Sequence, residues 1–168
     1  PRLSRWWNGR HFNAQIGVAF AASLAILSLA WLGRAAVSGF TVPPEWEQTA
    51  SAAIPPDEGE PAIDPFNTAG IVANAGALFG LLTGWALLVK RGKNFDAGGV
   101  WWKRLARFII GLVGTAILLF GLRALFPRGD DLLSQMLRYL RYTLTAFWII
   151  CAAPVAFLAL KLVDPKRE

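Results

Sequence analysis

The sequence predicts an all-α, polytopic membrane protein: four transmembrane helices, with a long acidic, proline-rich loop on the extracytoplasmic side. Three observations predict it. The chain is 55% hydrophobic and only 17% charged, and the charges are clustered rather than spread along helices as in a water-soluble domain. Between the clusters lie four apolar runs of about twenty residues, the length that crosses a bilayer. Basic residues collect at alternate ends of these runs, as the positive-inside rule requires. The formal net charge of +6 raises the question of nucleic acid. The cations flank apolar runs and form no stripe along a helix, so no nucleic-acid partner is expected.

The first span is expected from about Ala14 to Leu32, with room to continue to Val37. It is full span length with no convincing cleavage site after it, so it reads as a span and not as a signal peptide. The second is expected from Ala69 to Val89, the third from Phe108 to Phe126, and the fourth from Thr143 to Leu160. Each is roughly 27–32 Å long at about 1.5 Å per residue. Backbone amides in lipid must bond within their own segment, so these runs are helices. Residues 1–168 read as one four-helix domain. The start at Pro1, with Met136 the single methionine, is compatible with a C-terminal piece of a longer polypeptide.

Arg2, Arg5 and Arg10 precede the first span. Lys90, Arg91, Lys93, Lys103, Arg104 and Arg107 join the second to the third, and Lys161, Lys166 and Arg167 follow the fourth. These fall on one side, assigned to the cytoplasm with both termini. The opposite loop, from Ala35 to Thr68, has no Lys or Arg and carries Glu45, Glu47, Asp57, Glu58, Glu60 and Asp64. Pro43, Pro44, Pro55, Pro56, Pro61 and Pro65 predict irregular chain there, with at most a short interfacial turn around Trp46. Asp64-Pro65 suits an N-cap and N1 pair opening the second helix.

In NFDAGGVWWKR, residues 94–104, Gly98 and Gly99 supply a tight turn that tolerates positive φ. Trp101 and Trp102 then sit at headgroup level with indole N–H toward water, and Lys103 and Arg104 face lipid phosphates. Trp6 and Trp7, between Arg5 and Arg10, repeat the device at the first span. Gly76, Gly80 and Gly84 recur every four residues and predict a close helix contact, which Asn74 and Thr83 can reinforce with interhelical hydrogen bonds. Gly111, Gly114 and Gly121 predict a similar stripe on the third span, and Pro154 a kink in the fourth. Arg34, Arg123, Arg138 and Arg141 lie near the outer ends of spans, with Tyr139 and Tyr142 beside the last two. They form a candidate basic cluster for a lipid phosphate or headgroup; ordinary snorkelling is the competing account.

The segments FDAGGVWWKRLARFIIGLVGTAILLFGLRALFP and LRYLRYTLTAFWIICAAPVAFLALKL carry a resemblance. They resemble the C-terminal membrane region of bacterial type 2 phosphatidic acid phosphatase family proteins, in which a catalytic six-helix core precedes an extra membrane segment. The resemblance implies a bacterial plasma-membrane protein and covers most of the chain from Trp6 onward. Catalysis in that family uses Lys-x6-Arg-Pro, Pro-Ser-Gly-His and Ser-Arg-x5-His-x3-Asp. One histidine attacks phosphorus and another protonates the leaving oxygen. This chain has one histidine, His11. SRWWNGRH, residues 4–11, fits Ser-Arg-x5-His, but Gln15 stands where the orienting aspartate belongs.

The expectation is therefore a non-catalytic membrane domain packed beside a catalytic core. The alternatives are a stand-alone accessory subunit of a larger complex, or a divergent lipid-phosphate phosphatase using Arg5 and His11. The expected partners are membrane lipids and an intramembrane helix partner, either the catalytic core of the same chain or another subunit. No cofactor is expected. No metal site is expected either, because no Cys/His cluster has ligand spacing and Asp57, Glu58 and Glu60 read as a solvated loop.

Overall fold

The computed structural model describes residues 6–53, 63–64, 66–92, 95–96, 98–126, 129 and 131–165. Four long helices account for most of them: α1 (Phe12–Ala36), α3 (Ala69–Lys90), α4 (Trp101–Leu125) and α5 (Leu132–Ala159). The shorter α2 (Pro44–Ala53) lies in the loop after α1. The four long helices have 22 to 28 residues, about 33–42 Å at 1.5 Å per residue, and all are apolar enough to cross a bilayer.

The spans fall where expected, but two of them begin much earlier. α4 opens at Trp101 rather than Phe108, and α5 at Leu132 rather than Thr143. Both extensions are amphipathic. Lys and Arg are good helix formers, so a helix does not stop where hydropathy falls. Asp131 caps α5: its Oδ2 accepts from the Ser134 backbone N–H at 3.1 Å and its Oδ1 from the Ser134 hydroxyl at 2.5 Å. These bonds hold the Asp131 carboxyl below the usual carboxylate range.

The loop after α1 also departs from expectation, because α2 is a helix of ten residues. Pro44 stands at its first position, where a missing N–H costs nothing, and Glu45 and Glu47 in the first turn suit the helix dipole. Asp57, Glu58, Glu60, Pro55, Pro56, Pro61 and Pro65 lie outside the described residues. Asp64 does not cap α3. Its Oδ1 accepts from the Phe66 N–H at 2.9 Å, forming a turn ahead of the helix, and Thr68 is the N-cap residue.

The helices pack in the order α1–α3–α5–α4. α3 is central, and α4, at the edge, has no buried residue. Lys90 at the end of α3 places its ammonium 4.3 Å over the Phe12 ring at the start of α1. At the other end of the bundle, Arg34 donates from Nη1 to the Phe66 carbonyl at 2.9 Å. A two-residue antiparallel pairing of β1 (Phe95–Asp96) with β2 (Asp164–Pro165) joins the α3–α4 connection to the chain after α5. Residues 6–11, 91–92, 95–96, 98–100 and 160–165 thus share one end. α5 closes at Lys161 (φ 56°), and the Leu162 N–H reaches back to the Phe157 carbonyl at 2.9 Å. This left-handed C-terminal cap is one that glycine usually fills.

The core is made of small groups. Ala19, Ala75, Ala86, Cys151 and Ala153 are almost fully buried, and Ser23 is the largest fully buried side chain. The large apolar residues point outward: Leu29, Phe108, Phe120 and Leu125 are 65–77% exposed. In water this would be a vast exposed apolar surface; in lipid it is the expected arrangement, because close approach of small residues holds such helices together.

The tightest seam joins α3 to α5, which run parallel. A Cβ on Gly76 would collide with the Tyr139 carbonyl, and one on Gly80 with the Thr143 carbonyl. At Gly84 it would meet Cys151 Cβ at 3.4 Å, an ordinary contact. The α4 stripe narrows to one position: Gly114 lies under the Trp148 indole, Gly111 has 3.9 Å of room to Phe157, and Gly121 meets only its own helix. Asn74 is exposed, and Thr83 bonds back to Phe79 and Gly80 of its own helix, so neither bridges helices as expected. α4 and α5 each contain a wide π turn, at Ile117–Gly121 and Trp148–Ala152. The second lies just before Pro154, where the missing N–H would break the regular ladder.

These spacings predict different outcomes along one stripe. Gly76→Ala and Gly80→Ala should each cost about 1–3 kcal/mol by overpacking. Gly84→Ala should be neutral or stabilising by up to about 1 kcal/mol, through helix propensity. Denaturant unfolding in detergent measures all three.

Candidate functional site

At the shared end of the bundle, the two aromatic-basic devices adopt different arrangements. Trp101 and Trp102 open α4 and are 73% and 52% exposed. Gly99 precedes them with φ 101°, the conformation the tight turn requires. Lys103 is half-buried and Arg104 exposed. Arg107 holds the turn onto the helix, donating from Nη2 to the Gly98 carbonyl at 3.0 Å and from Nε to the Lys103 carbonyl at 3.2 Å.

At the first span, Trp6 is exposed with the Arg10 guanidinium 4.9 Å over its ring. Trp7 is half-buried, and its indole nitrogen is enclosed, not turned to water, with no hydrogen-bond partner among the described residues. The Trp7 carbonyl accepts from Gln15 Nε2 at 2.8 Å, and Gln15 is buried. Gln15 therefore ties the short helical segment at residues 6–8 onto α1. His11 is exposed at the N-cap of α1. Ser4 and Arg5 lie outside the described residues. Among the described residues, no three His, Cys, Asp or Glu side chains are grouped to hold a metal ion.

The four arginines toward the opposite end have different surroundings. Arg34, on α1, is engaged with the Phe66 carbonyl, and its guanidinium lies 5.8 Å from the Trp31 ring and 5.9 Å from the Phe66 ring. Arg123, on α4, is exposed. Arg138 and Arg141 are half-buried on α5, with Nη1 of the first and Nε of the second enclosed. Arg141 also lies 5.0 Å over the Tyr142 ring.

The polar contacts that do cross between helices escaped the sequence reading. Ser23 on α1 donates to the Ala75 carbonyl of α3 at 2.9 Å and is 2.8 Å from the Tyr139 hydroxyl of α5. A serine has one hydroxyl proton, so Tyr139 is the donor of the second bond. The Tyr139 ring stacks on Phe79 at 6.3 Å, and Phe79 meets Phe20 edge-on at 5.7 Å. Thr143 donates to the Gly76 carbonyl at 3.0 Å, and Trp148 Nε1 to the Gly111 carbonyl at 3.3 Å. Below Trp148, an apolar trough of about 360 Å³ runs between α4 and α5, lined by Phe108, Leu112, Ile149 and Phe157 with Arg107 at one end.

The Ser23 node ties three helices through one hydroxyl. Ser23→Ala and Tyr139→Phe should each lose about 0.5–1.5 kcal/mol in detergent unfolding. The double variant should lose less than the sum of the two, because both remove the same bond.

Comparison with known families adds one finding. The model described as PAP2 superfamily phosphatase, transmembrane extension, matches residues 72–166. The match opens inside α3 and runs through α4 and α5, so it includes the glycine seam and the arginines of α5. Searches of curated proteins and of solved structures gave no match. Since the matched region covers more than half of its length, the chain belongs to the family of PAP2 superfamily phosphatase transmembrane extensions.

Proposed function

We propose that this chain is a non-catalytic membrane domain that packs beside the catalytic core of a lipid-phosphate phosphatase of the same polypeptide. The observation that carries the reading is the family match to a phosphatase's transmembrane extension. Its chemistry agrees. The chain has one histidine, and a phosphohistidine mechanism needs one imidazole to attack and another to protonate the leaving oxygen. His11 is exposed, with a glutamine where an orienting carboxylate is needed.

α4 is the face we assign to the core. Phe108, Leu112, Ile117 and Phe120 are exposed along it, and it has no buried residue. The trough beside it gives an acyl chain a lateral path toward the neighbouring helices. The end carrying residues 98–107 is assigned to the cytoplasm, where its lysines and arginines belong; the membrane is taken to be the bacterial plasma membrane. A separate accessory subunit would use the same face.

Two measurements test this. Immunoblotting native membranes for residues 98–126 should detect a polypeptide well above 18.3 kDa; a band at that mass would favour the separate subunit. In the full-length protein, His11→Ala should leave phosphate release from phosphatidic acid within about two-fold of wild type. A loss on the order of 100-fold, the scale of a lost general acid or base, would make the chain catalytic.

A further inference from the structure

The first half of α5 is built inside out. Leu132, Leu133, Met136, Leu140 and Leu144 are exposed, while Ser134, Gln135 and Thr145 are buried. Arg138 and Arg141 sit between these buried positions, three residues apart and therefore on adjacent turns of one face. Arg141 stands two turns before Trp148 on that face, and Trp148 lies against Gly114 of α4. The stripe Ser134, Arg138, Arg141, Thr145, Trp148 therefore faces α4, not open lipid. The Ile117–Gly121 turn of α4 packs on this half of α5.

Nη1 of Arg138 and Nε of Arg141 are enclosed, and neither has a hydrogen-bond partner among the described residues. Guanidinium does not give up its proton, so both groups carry charge in an apolar bundle. An enclosed charged donor without an acceptor is among the most costly features such a bundle can hold. Asp131, the acid that opens α5, has both carboxylate oxygens engaged by Ser134. The two arginines lie about 9 and 14 Å along α5 from Leu132 at 1.5 Å per residue. That is within reach of the bundle end opposite residues 98–100, where a bilayer presents its headgroups.

We propose that Arg138 and Arg141 form an anion site between α4 and α5 that takes a phosphate group from that end of the bundle. Phosphate has oxygens enough to accept from both guanidiniums at once, and its geometry matches their planar forks. Basic pockets between transmembrane helices bind lipid headgroups in this way. A lipid headgroup and free phosphate offer the same chemistry. The site is independent of the fused-domain reading, because every group in it belongs to α4 and α5.

The test is native mass spectrometry of the full-length protein in phosphate-free maltoside micelles. Phosphatidic acid (as a phosphonate that the catalytic core cannot hydrolyse), diacylglycerol or inorganic phosphate is added separately. Wild type should retain one more phosphatidic acid per chain than Arg138→Gln/Arg141→Gln, and no more diacylglycerol. If inorganic phosphate gives the same difference, the free anion fills the site; if only phosphatidic acid does, the lipid headgroup does. Comparing wild type with the variant subtracts any lipid held elsewhere in the protein. In ligand-free micelles the glutamine variant should unfold at or above the wild-type temperature, since it removes two half-buried charges whose enclosed nitrogens have no acceptor among the described residues. Arg138→Lys/Arg141→Lys keeps the charge and loses the fork, so its occupancy should fall several-fold without vanishing. Equal occupancy of wild type and both variants overturns the proposal. So does a diacylglycerol difference between wild type and the glutamine variant as large as the phosphatidic acid one, or a glutamine variant that unfolds well below wild type, which would mean a protein carboxylate already pairs with these arginines.

Discussion

Lipid offers helices no hydrophobic reason to associate, since one apolar surface is as good as another there. What joins them is how closely their backbones approach, and in this bundle that is decided at Gly76 and Gly80. Each lets a carbonyl of α5 sit where a side chain would otherwise stand. The parallel α3–α5 seam brings Thr143 within bonding distance of Gly76 and lays the Tyr139 ring on Phe79. Through Ser23, the Tyr139 hydroxyl then fixes α1. α4 joins last and differently, by receiving the Trp148 indole at Gly114 rather than by backbone contact.

The same constraint turns the chemistry inward. Side chains able to hydrogen-bond gain nothing by facing acyl chains, so Ser23, Gln135 and Thr145 are buried while leucines and phenylalanines are exposed. The wide turns before Leu122 and Pro154 agree with this: they widen α4 and α5 locally while the backbone stays helical. The outcome is a three-helix core with one edge helix, α4, that has no buried residue.

Hydropathy made the four spans legible, because twenty apolar residues have few alternatives. It did not show where α4 and α5 begin, since Lys103, Arg104, Arg107, Arg138 and Arg141 lower hydropathy while favouring helix. The cap at Asp131 was a readable signal for the start of α5, as Pro44 with Glu45 and Glu47 was for α2; in the second case proline density outweighed it. The Gly76-Gly80-Gly84 stripe was visible, but the unequal demands on its members depend on which α5 atoms lie opposite, and no local pattern carries that. Gln15 read as a missing aspartate until its bond to the Trp7 carbonyl gave it a task of its own. Of the arginine quartet, Arg34 is engaged by the Phe66 carbonyl and Arg123 is exposed, which leaves Arg138 and Arg141 as the two with enclosed nitrogens.

Distances between spin labels on a Cys151→Ala background address the four-pass parallel seam most directly. With labels at Ile71 and Leu133, the separation should be about 20 Å, the roughly 8–10 Å between packed helix axes plus the label arms. With labels at Ile71 and Leu160, it should be about 40 Å, the rise along α5 at 1.5 Å per residue. The reverse order, with Ile71 nearer to Leu160, would mean that α3 and α5 run antiparallel, and the seam described above would not exist.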